Sequence, residues 1–347
     1  MIDSSEISVV LQGPVRNQTA ISIQSIRTLL PSAEIILSTW ETENTENLDC
    51  DIVIKCKEPQ SFIQNRRLGT KNNMNRMIRS TKEGIKGASR AYILKMRSDL
   101  VLDSLRFLKT FEQYPDKNDK SIFSHKILVP CVYSRVRLRN HLTPFHLSDW
   151  AAFGKREDIL KLFLETTEAK EPEFTEWFLI KKHKSIYGDT TIRMAPEQYL
   201  IYSAYRRNFN DIDFEDCSDV NIQTQEISNR FIVGNFIVSE YRYSGFKLPK
   251  YEVSFDERML GTDFFDLWTH FNYEMAYKKY CNPSFTISED NEFYYFSRKG
   301  IEIEKIRLKK HISYFNNNKS FHARVEQIFV IPIIFIKLIF NYARFYL

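Results

Sequence analysis

Residues Glu6–Thr39 read EISVVLQGPVRNQTAISIQSIRTLLPSAEIILST, and this stretch decides the fold. Glu6–Gln12 is a short β-branched apolar run stopped by the turn pair Gly13-Pro14, which reads as a buried strand. Asn17 to Leu30 spaces its apolar residues as an amphipathic helix and halts before Pro31. Ala33–Thr39 is then a second apolar run. Strand, helix and strand in so short a span call for a parallel pair joined by a crossover helix.

The same rhythm continues outward. Asp51–Lys55 (DIVIK) predicts a third strand, and Asn72–Lys86 a helix with Met74, Met77, Ile78 and Ile85 on one face. Ala91–Met96 (AYILKM) predicts a fourth strand and Ser104–Tyr114 a helix. Strands that are apolar throughout, without alternation, are buried on both faces, so the fold class is α/β with a largely parallel sheet. Ile122–Pro130, Ser148–Phe153 and Arg230–Val238 (RFIVGNFIV) are expected as further strands. Helices are expected at Arg156–Leu164, Pro172–Lys182 and Pro196–Arg207, and beyond about residue 255 the pattern turns helical and aromatic. Asn316–Asn318 reads as a hinge before a last helix.

Composition narrows the chemistry. Of 347 residues only 10 are Gly, and neither GxGxxG nor GxxxxGK[ST] occurs, which removes glycine-cradled dinucleotide and P-loop sites. The five cysteines are scattered, with no CxxC pair, so the reading expects a reducing compartment and neither a disulfide framework nor a zinc site. The polar, acidic start Met-Ile-Asp-Ser-Ser-Glu carries no secretory signal, and the longest apolar run, Ile328–Phe340, is too short to span a bilayer. The net charge of +5 is unevenly spread. Ten Lys and Arg against three Asp and Glu give the last 50 residues +7, leaving −2 for the first 297. That pattern, with the basic charge among apolar residues, does not fit nucleic-acid binding.

In open α/β sheets ligands bind beyond the carboxyl ends of the strands. Three segments fall there: Gln12-Gly13-Pro14, Ser38-Thr39-Trp40-Glu41, and Lys95-Met96-Arg97-Ser98-Asp99. A carboxylate at a buried strand end needs a cation or donors. Asp99 therefore reads either as an oxygen ligand for a divalent cation holding a diphosphate or as a cap for the helix after Ser104. Arg66, Arg67, Lys71, Asn72, Asn73, Asn75 and Arg76 form a second cluster, suited to a diphosphate or ribose or, equally, a solvated basic face. His146-Leu-Ser-Asp149-Trp and Pro196-Glu197-Gln-Tyr complete the candidates. Asp149 and Glu197 are potential general bases, and Glu197 also suits a helix's first turn.

The segments ISVVLQGPV (7–15), PSAEIILSTWE (31–41), NNMNRMIRST (72–81), LKMRSDL (94–100), HLSDW (146–150), PEQY (196–199) and GNF (234–236), in this order, resemble the WavE-type lipopolysaccharide-synthesis family over roughly residues 6–250. The resemblance implies a GT-A-like nucleotide-diphospho-sugar transferase fold, a mostly parallel Rossmann-like sheet flanked by helices. It implies a glycosyltransferase using a nucleotide sugar donor to extend a lipopolysaccharide-core, O-antigen or capsule acceptor, a glycolipid or oligosaccharide.

By position, Arg97-Ser98-Asp99 stands where such folds keep an Asp-x-Asp metal motif, with Arg97 in place of the first Asp. Two roles follow for Asp99: a bond to Mg or Mn, or a hold on a sugar hydroxyl while Arg97 neutralises the diphosphate. Gln12, Gly13, Thr39 and Glu41 would line the nucleotide pocket. Asn72, Asn75, Arg76, Lys95, Arg97, Ser98 and His146 would assist binding. Glu197-Gln198 resembles an acidic-Gln pair of acceptor regions, and Asp149 or Glu197 would be the base.

The expected organisation is a catalytic domain at 1–250, an aromatic-rich helical extension at 251–297 and a basic amphipathic tail at 298–347. Phe321–Leu347 reads as a helix lying on a membrane surface, placing the protein on the inner face of the cytoplasmic membrane, or else as a homo-oligomer contact. Two other functions are compatible: transfer of a sugar-phosphate or nucleotidyl group, and a non-catalytic membrane-peripheral scaffold on a transferase fold.

Overall fold

The computed structural model describes residues 2–65, 67–138, 141–186, 188–247, 266–317 and 321–346. Seven strands form the central sheet: β1 (Ile7–Gln12), β2 (Glu34–Trp40), β3 (Ile52–Cys56), β4 (Tyr92–Arg97), β5 (Ile127–Pro130), β6 (Ala151–Lys155) and β7 (Phe236–Ser239). Their order across the sheet is β3-β2-β1-β4-β6-β5-β7. The pairs β1–β2, β2–β3, β1–β4 and β5–β7 are parallel, while β6 runs antiparallel to both of its neighbours.

The first four strands end within a residue or two of the expected bounds. Ile7, Val9, Val10, Leu11, Ile35, Ile36, Leu37, Ile93 and Leu94 are all fully buried, as strands covered on both faces require. After β1 the chain builds outward through β2 and β3, then returns to place β4 on β1's other side. The reversal opens a crevice between the carboxyl ends of β1 and β4.

Helices α1 (Asn17–Leu29), α2 (Met74–Lys86), α3 (Arg106–Phe111), α4 (Arg156–Leu164), α5 (Trp177–Lys181), α6 (Pro196–Arg206) and α7 (Ile222–Asn235) surround the sheet. α2 lies so close to β1 and β2 that a Cβ on Gly84 would stand 2.4 Å from Val10 Cγ1 and 2.9 Å from Ser38 Cβ. On the other face α3 packs the Phe107 and Phe111 rings edge-on against Phe153 of β6, at centroid distances of 5.0 and 4.9 Å.

Two expectations need correction. Arg230–Val238 is not a strand: residues to Asn235 end α7, and only Phe236–Ser239 pair in the sheet. Phe231, Ile232 and Val233 are fully buried, and a helix buried nearly all round has the apolar run of an inner strand. Ile122–Pro130 pairs only from Ile127, since Ile122 and Phe123 give their N–H groups to the Asn235 side chain instead.

The expected boundary at 250/251 lies outside the described residues. Residues 266–268 add to the sheet domain, with Val136 N–H bonded to the Asp266 carbonyl and Trp268 N–H to that of Ser134. α8 (His270–Tyr280) buries Tyr273 and Tyr277 completely, and the Tyr273 hydroxyl donates to the Phe236 carbonyl of β7 at 2.9 Å. α9 (Glu289–Asn317) and α10 (Phe321–Tyr346) form an antiparallel hairpin in which His311 meets Gln327 and Gly300 lies against Asn341. α9 runs through Asn316 and Asn317, the first two residues of the expected hinge, and Asn318 lies outside the described residues.

Candidate functional site

A cavity of about 290 Å³ opens at the β1/β4 crevice, lined among others by Gln12, Gly13, Arg16, Trp40, Arg76, Arg97, Asp99 and Asp149. The backbone of its floor is fixed from three directions. Gly13 has φ +112°, a conformation that side-chain-bearing residues rarely adopt. Its N–H donates to the Ser38 carbonyl, and Ser98 donates its N–H to the Gln12 carbonyl and its hydroxyl to that of Pro14. Gln12 Oε1 accepts from Ser80 of α2 at 2.8 Å.

Asp99 is almost fully buried, and Arg97 holds it in a fork: Nε to Oδ1 at 2.9 Å and Nη2 to Oδ2 at 2.8 Å. Arg16 Nε stands 3.6 Å from Oδ2. The Arg97 guanidinium also lies over the Trp150 ring, 4.9 Å from its centroid. Asp99 therefore caps no helix; α3 starts at Arg106 without a side-chain cap. Arg76 completes a trio of guanidiniums on the cavity wall, anchored by Glu58 at 3.2 Å and by the Pro59 carbonyl. The first turns of α1, α2 and α6 reach the same cavity through Arg16, Asn73 and Met74, and Pro196, bringing three positive helix-dipole ends to one space.

Asp149 also lines the cavity, just ahead of the reversed strand β6. Lys95 of β4 is fully buried, donates to the Asp149 carbonyl, and has its pKa lowered to about 8 by burial. Glu197, in the first turn of α6, is close enough to Asp149 that burial and this negative neighbour together push its pKa well above the usual carboxylate range. Arg135 acts in the other direction on Glu197. His146 is buried and its pKa falls to about 3, chiefly through that burial, so it is neutral at physiological pH.

Several expected residues lie elsewhere. Thr39 is completely buried and does not line the cavity; its neighbour Trp40 does, because successive side chains of β2 point to opposite faces. Glu41 is exposed and outside the lining. Asn72 bonds Gln64 and the Met74 N–H, Asn75 clamps Ala169 through both its carbonyl and its N–H, and Arg79 forks Glu168, so these side chains are structural. Arg66 lies outside the described residues, and Arg67 and Lys71 are exposed. Arg16, Glu58 and Met77 are lining residues that the strand-end argument passes over, since they come from helix starts and a loop. The one sequence signal for Arg16 is its place three residues after Gly13, at the entry to α1.

Among the described residues the only triad with metal-ligand spacing is His125, Glu157 and Asp158. It sits at the opposite, amino-terminal edge of the sheet, where Asp158 accepts from the Ser124 and His125 N–H groups and so ties down a turn.

Sheet and crevice define an α/β protein with a cavity at its topological switch point, lined by three arginines and three carboxylates. Residues 7–308 match the WavE lipopolysaccharide synthesis family, and the chain belongs to that family. Among solved structures it is similar to HddC from Yersinia pseudotuberculosis, at 12% identity and a TM-score of 0.26 over 44% of this chain and 78% of that one. No curated protein matches the chain. No helix among the described residues is long and apolar enough to cross a membrane.

Proposed function

We propose that this member of a lipopolysaccharide-synthesis family is a glycosyltransferase, moving a sugar from a nucleotide-activated donor to a surface-polysaccharide acceptor. The observation that carries the reading is the cavity itself, which three guanidiniums, the amino-terminal ends of α1, α2 and α6, and the Asp149 carboxylate all border. The guanidiniums suit a diphosphate leaving group, whose charge grows as the glycosidic bond breaks. Asp149 suits removal of a proton from an acceptor hydroxyl. A sheet with a single reversed strand is compatible with the GT-A-like architecture this reading requires.

The roles divide by position. Arg97, steered by Asp99 and stacked on Trp150, meets the diphosphate together with Arg16 and Arg76. Asp149 borders the cavity and is the base. Glu197 stands behind it, protonated at neutral pH, and holds the base in place. The residues at Asp99 do not fit a resident Mg or Mn, because both its oxygens are already forked by Arg97 with Arg16 alongside. Guanidinium charge takes the cation's place, and no step is routed through a metal.

The tail supports a membrane-surface location. α10 packs Ile334 and Leu338 inward and leaves Ile333, Phe335, Ile336, Ile339 and Phe340 more than half exposed around Lys337. An apolar face of this kind, beside a basic residue, suits the interface of an anionic bilayer, where lipid-linked acceptors reside.

Donor turnover tests the whole assignment. Asp149→Asn and Asp99→Ala, each still folded by circular dichroism, should lose sugar transfer from a panel of nucleotide sugars to lipopolysaccharide acceptors. Full turnover by either variant would remove the corresponding role. No binding of any nucleotide, with vesicle binding retained in Asp99→Ala, would favour the scaffold reading.

A further inference from the structure

A second cavity, about 600 Å³, lies between α7, α8 and α9. It shares no lining residue with the first. Its walls are amides and rings: Gln225 and Asn229 one turn apart on α7, Asn272 on α8, and the aromatic rings of Trp268 and Tyr295. Arg137 and Asp266 add one charge of each sign, so the cavity offers no net charge to a ligand.

Two of these side chains are unsatisfied. Trp268 is 2% exposed and Gln225 7%, and among the described residues the indole Nε1 and the amide Oε1 have no hydrogen-bond partner. A buried donor or acceptor left unpaired is costly, so an unpaired donor and an unpaired acceptor on one cavity favour a ligand that carries groups of both kinds. A hydroxyl does, being donor and acceptor at once. A neutral, polyhydroxylated ligand with apolar ring faces matches amides, unpaired polar atoms and two aromatic rings together.

The cavity also adjoins the first structurally. Arg135 acts electrostatically on Glu197 and His146, while the next two residues, Val136 and Arg137, line the second cavity. A single extended segment, paired with residues 266–268, thus runs from the surroundings of Glu197 to the second cavity.

We propose that this cavity is a second carbohydrate site that holds neutral sugar units of the acceptor glycan, apart from the site of chemistry. It rests on the transferase reading only in naming the glycan as the acceptor.

The chain has four tryptophans, so 5-fluorotryptophan labelling gives four assignable ¹⁹F resonances in the full-length protein. Titration with maltotetraose and with chitotetraose should move the Trp268 resonance and leave those of Trp40 and Trp150 in place. UDP, GDP or CMP should do the reverse. Asn272→Ala, at a half-buried position, and Gln225→Leu should each weaken glycan binding roughly tenfold, the loss of one hydrogen bond, while the nucleotide response persists. An unmoved Trp268 resonance with both glycans overturns the proposal. So does glycan affinity unchanged in Asn272→Ala together with Gln225→Leu. If glycans move Trp268 but no nucleotide moves any resonance, the carbohydrate site stands and the transferase reading fails.

Discussion

Arg97 makes its contacts by virtue of a two-residue spacing. At the end of β4 it can turn back onto Asp99, lie flat on Trp150 and still face the cavity. A guanidinium held this way loses little further freedom on meeting an anion. Arg97→Ala should therefore weaken nucleotide-diphosphate binding by roughly 10–100-fold in calorimetric titration, the worth of a charge-assisted pair. Arg16→Ala should weaken it less, because its side chain is 44% exposed. Chelation by EDTA should leave the wild-type affinity unchanged.

Glu197 gives a pH signature. Its pKa is raised by burial first and by Asp149 second, so it gains its charge only as pH climbs past neutrality. Ionisation adds a negative charge beside an anion site, and nucleotide affinity should fall a few-fold over the range from about pH 6.5 to about pH 9. Glu197→Gln should hold the affinity flat across that range. Stability follows the same sign: a carboxyl protonated in the folded state and ionised in the unfolded chain loses its stabilising contribution as pH rises.

At the scale of elements, α2 is placed by the absence of a side chain. With Gly84 against Val10 and Ser38, an added methyl has no room on the β1–β2 face. Gly84→Ala should cost about 1–3 kcal/mol in urea unfolding and, by lifting α2, should loosen the Gln12–Ser80 bond as well. Legibility in the sequence also varies by element. The strands β1 to β4 were readable because a mainly apolar run of five to seven residues between turns is too short for a core helix; β1, β2 and β4 are covered on both faces, while β3, at the sheet edge, leaves Val53 exposed. α7 was not, because its end is buried nearly all round and its start, QTQEISN, buries the polar Thr224, Gln225 and Ser228 in place of an apolar stripe. The available clue was Asn221, whose side chain caps the helix by accepting from the Thr224 N–H at 2.8 Å.

The site divides in the same way. Gln12, Gly13, Arg97, Ser98 and Asp99 were legible because strand ends next to the switch point must face the crevice, whereas Asp149 was readable only as a carboxylate ahead of an apolar strand. Thr39 failed on alternation, one residue from Trp40. Asn72 and Asn75 failed because polar residues at a helix start bind backbone as readily as ligand. The second cavity had no sequence signature, since its amides come from helices distant in the chain.

At the scale of the whole molecule, the charge asymmetry becomes a geometric one: a sheet domain with its cavity at one edge and a helical hairpin whose outer face is apolar. Phe335→Asp with Phe340→Asp should reduce co-sedimentation with phosphatidylglycerol-containing vesicles roughly tenfold or more, since each phenylalanine contributes about 1.5–3 kcal/mol when buried. Nucleotide binding should not change. If the face instead meets a second copy of the chain, the same variant will shift a dimer to monomer by ultracentrifugation and leave vesicle binding as it was.

The reversal of β6 has a consequence for how such a protein can diversify. Parallel strands deliver side chains to the working edge on the loops that leave them, whereas β6 delivers Asp149 and Trp150 on the loop that enters it. The side chains lining the cavity thus come from separate stretches, residues 12–99, Asp149 ahead of β6 and Pro196 at the start of α6, which meet in space but share no loop. Each can change without redrawing the others, so the two sides of a transfer at this cavity would be free to drift, or to be engineered, as independent modules.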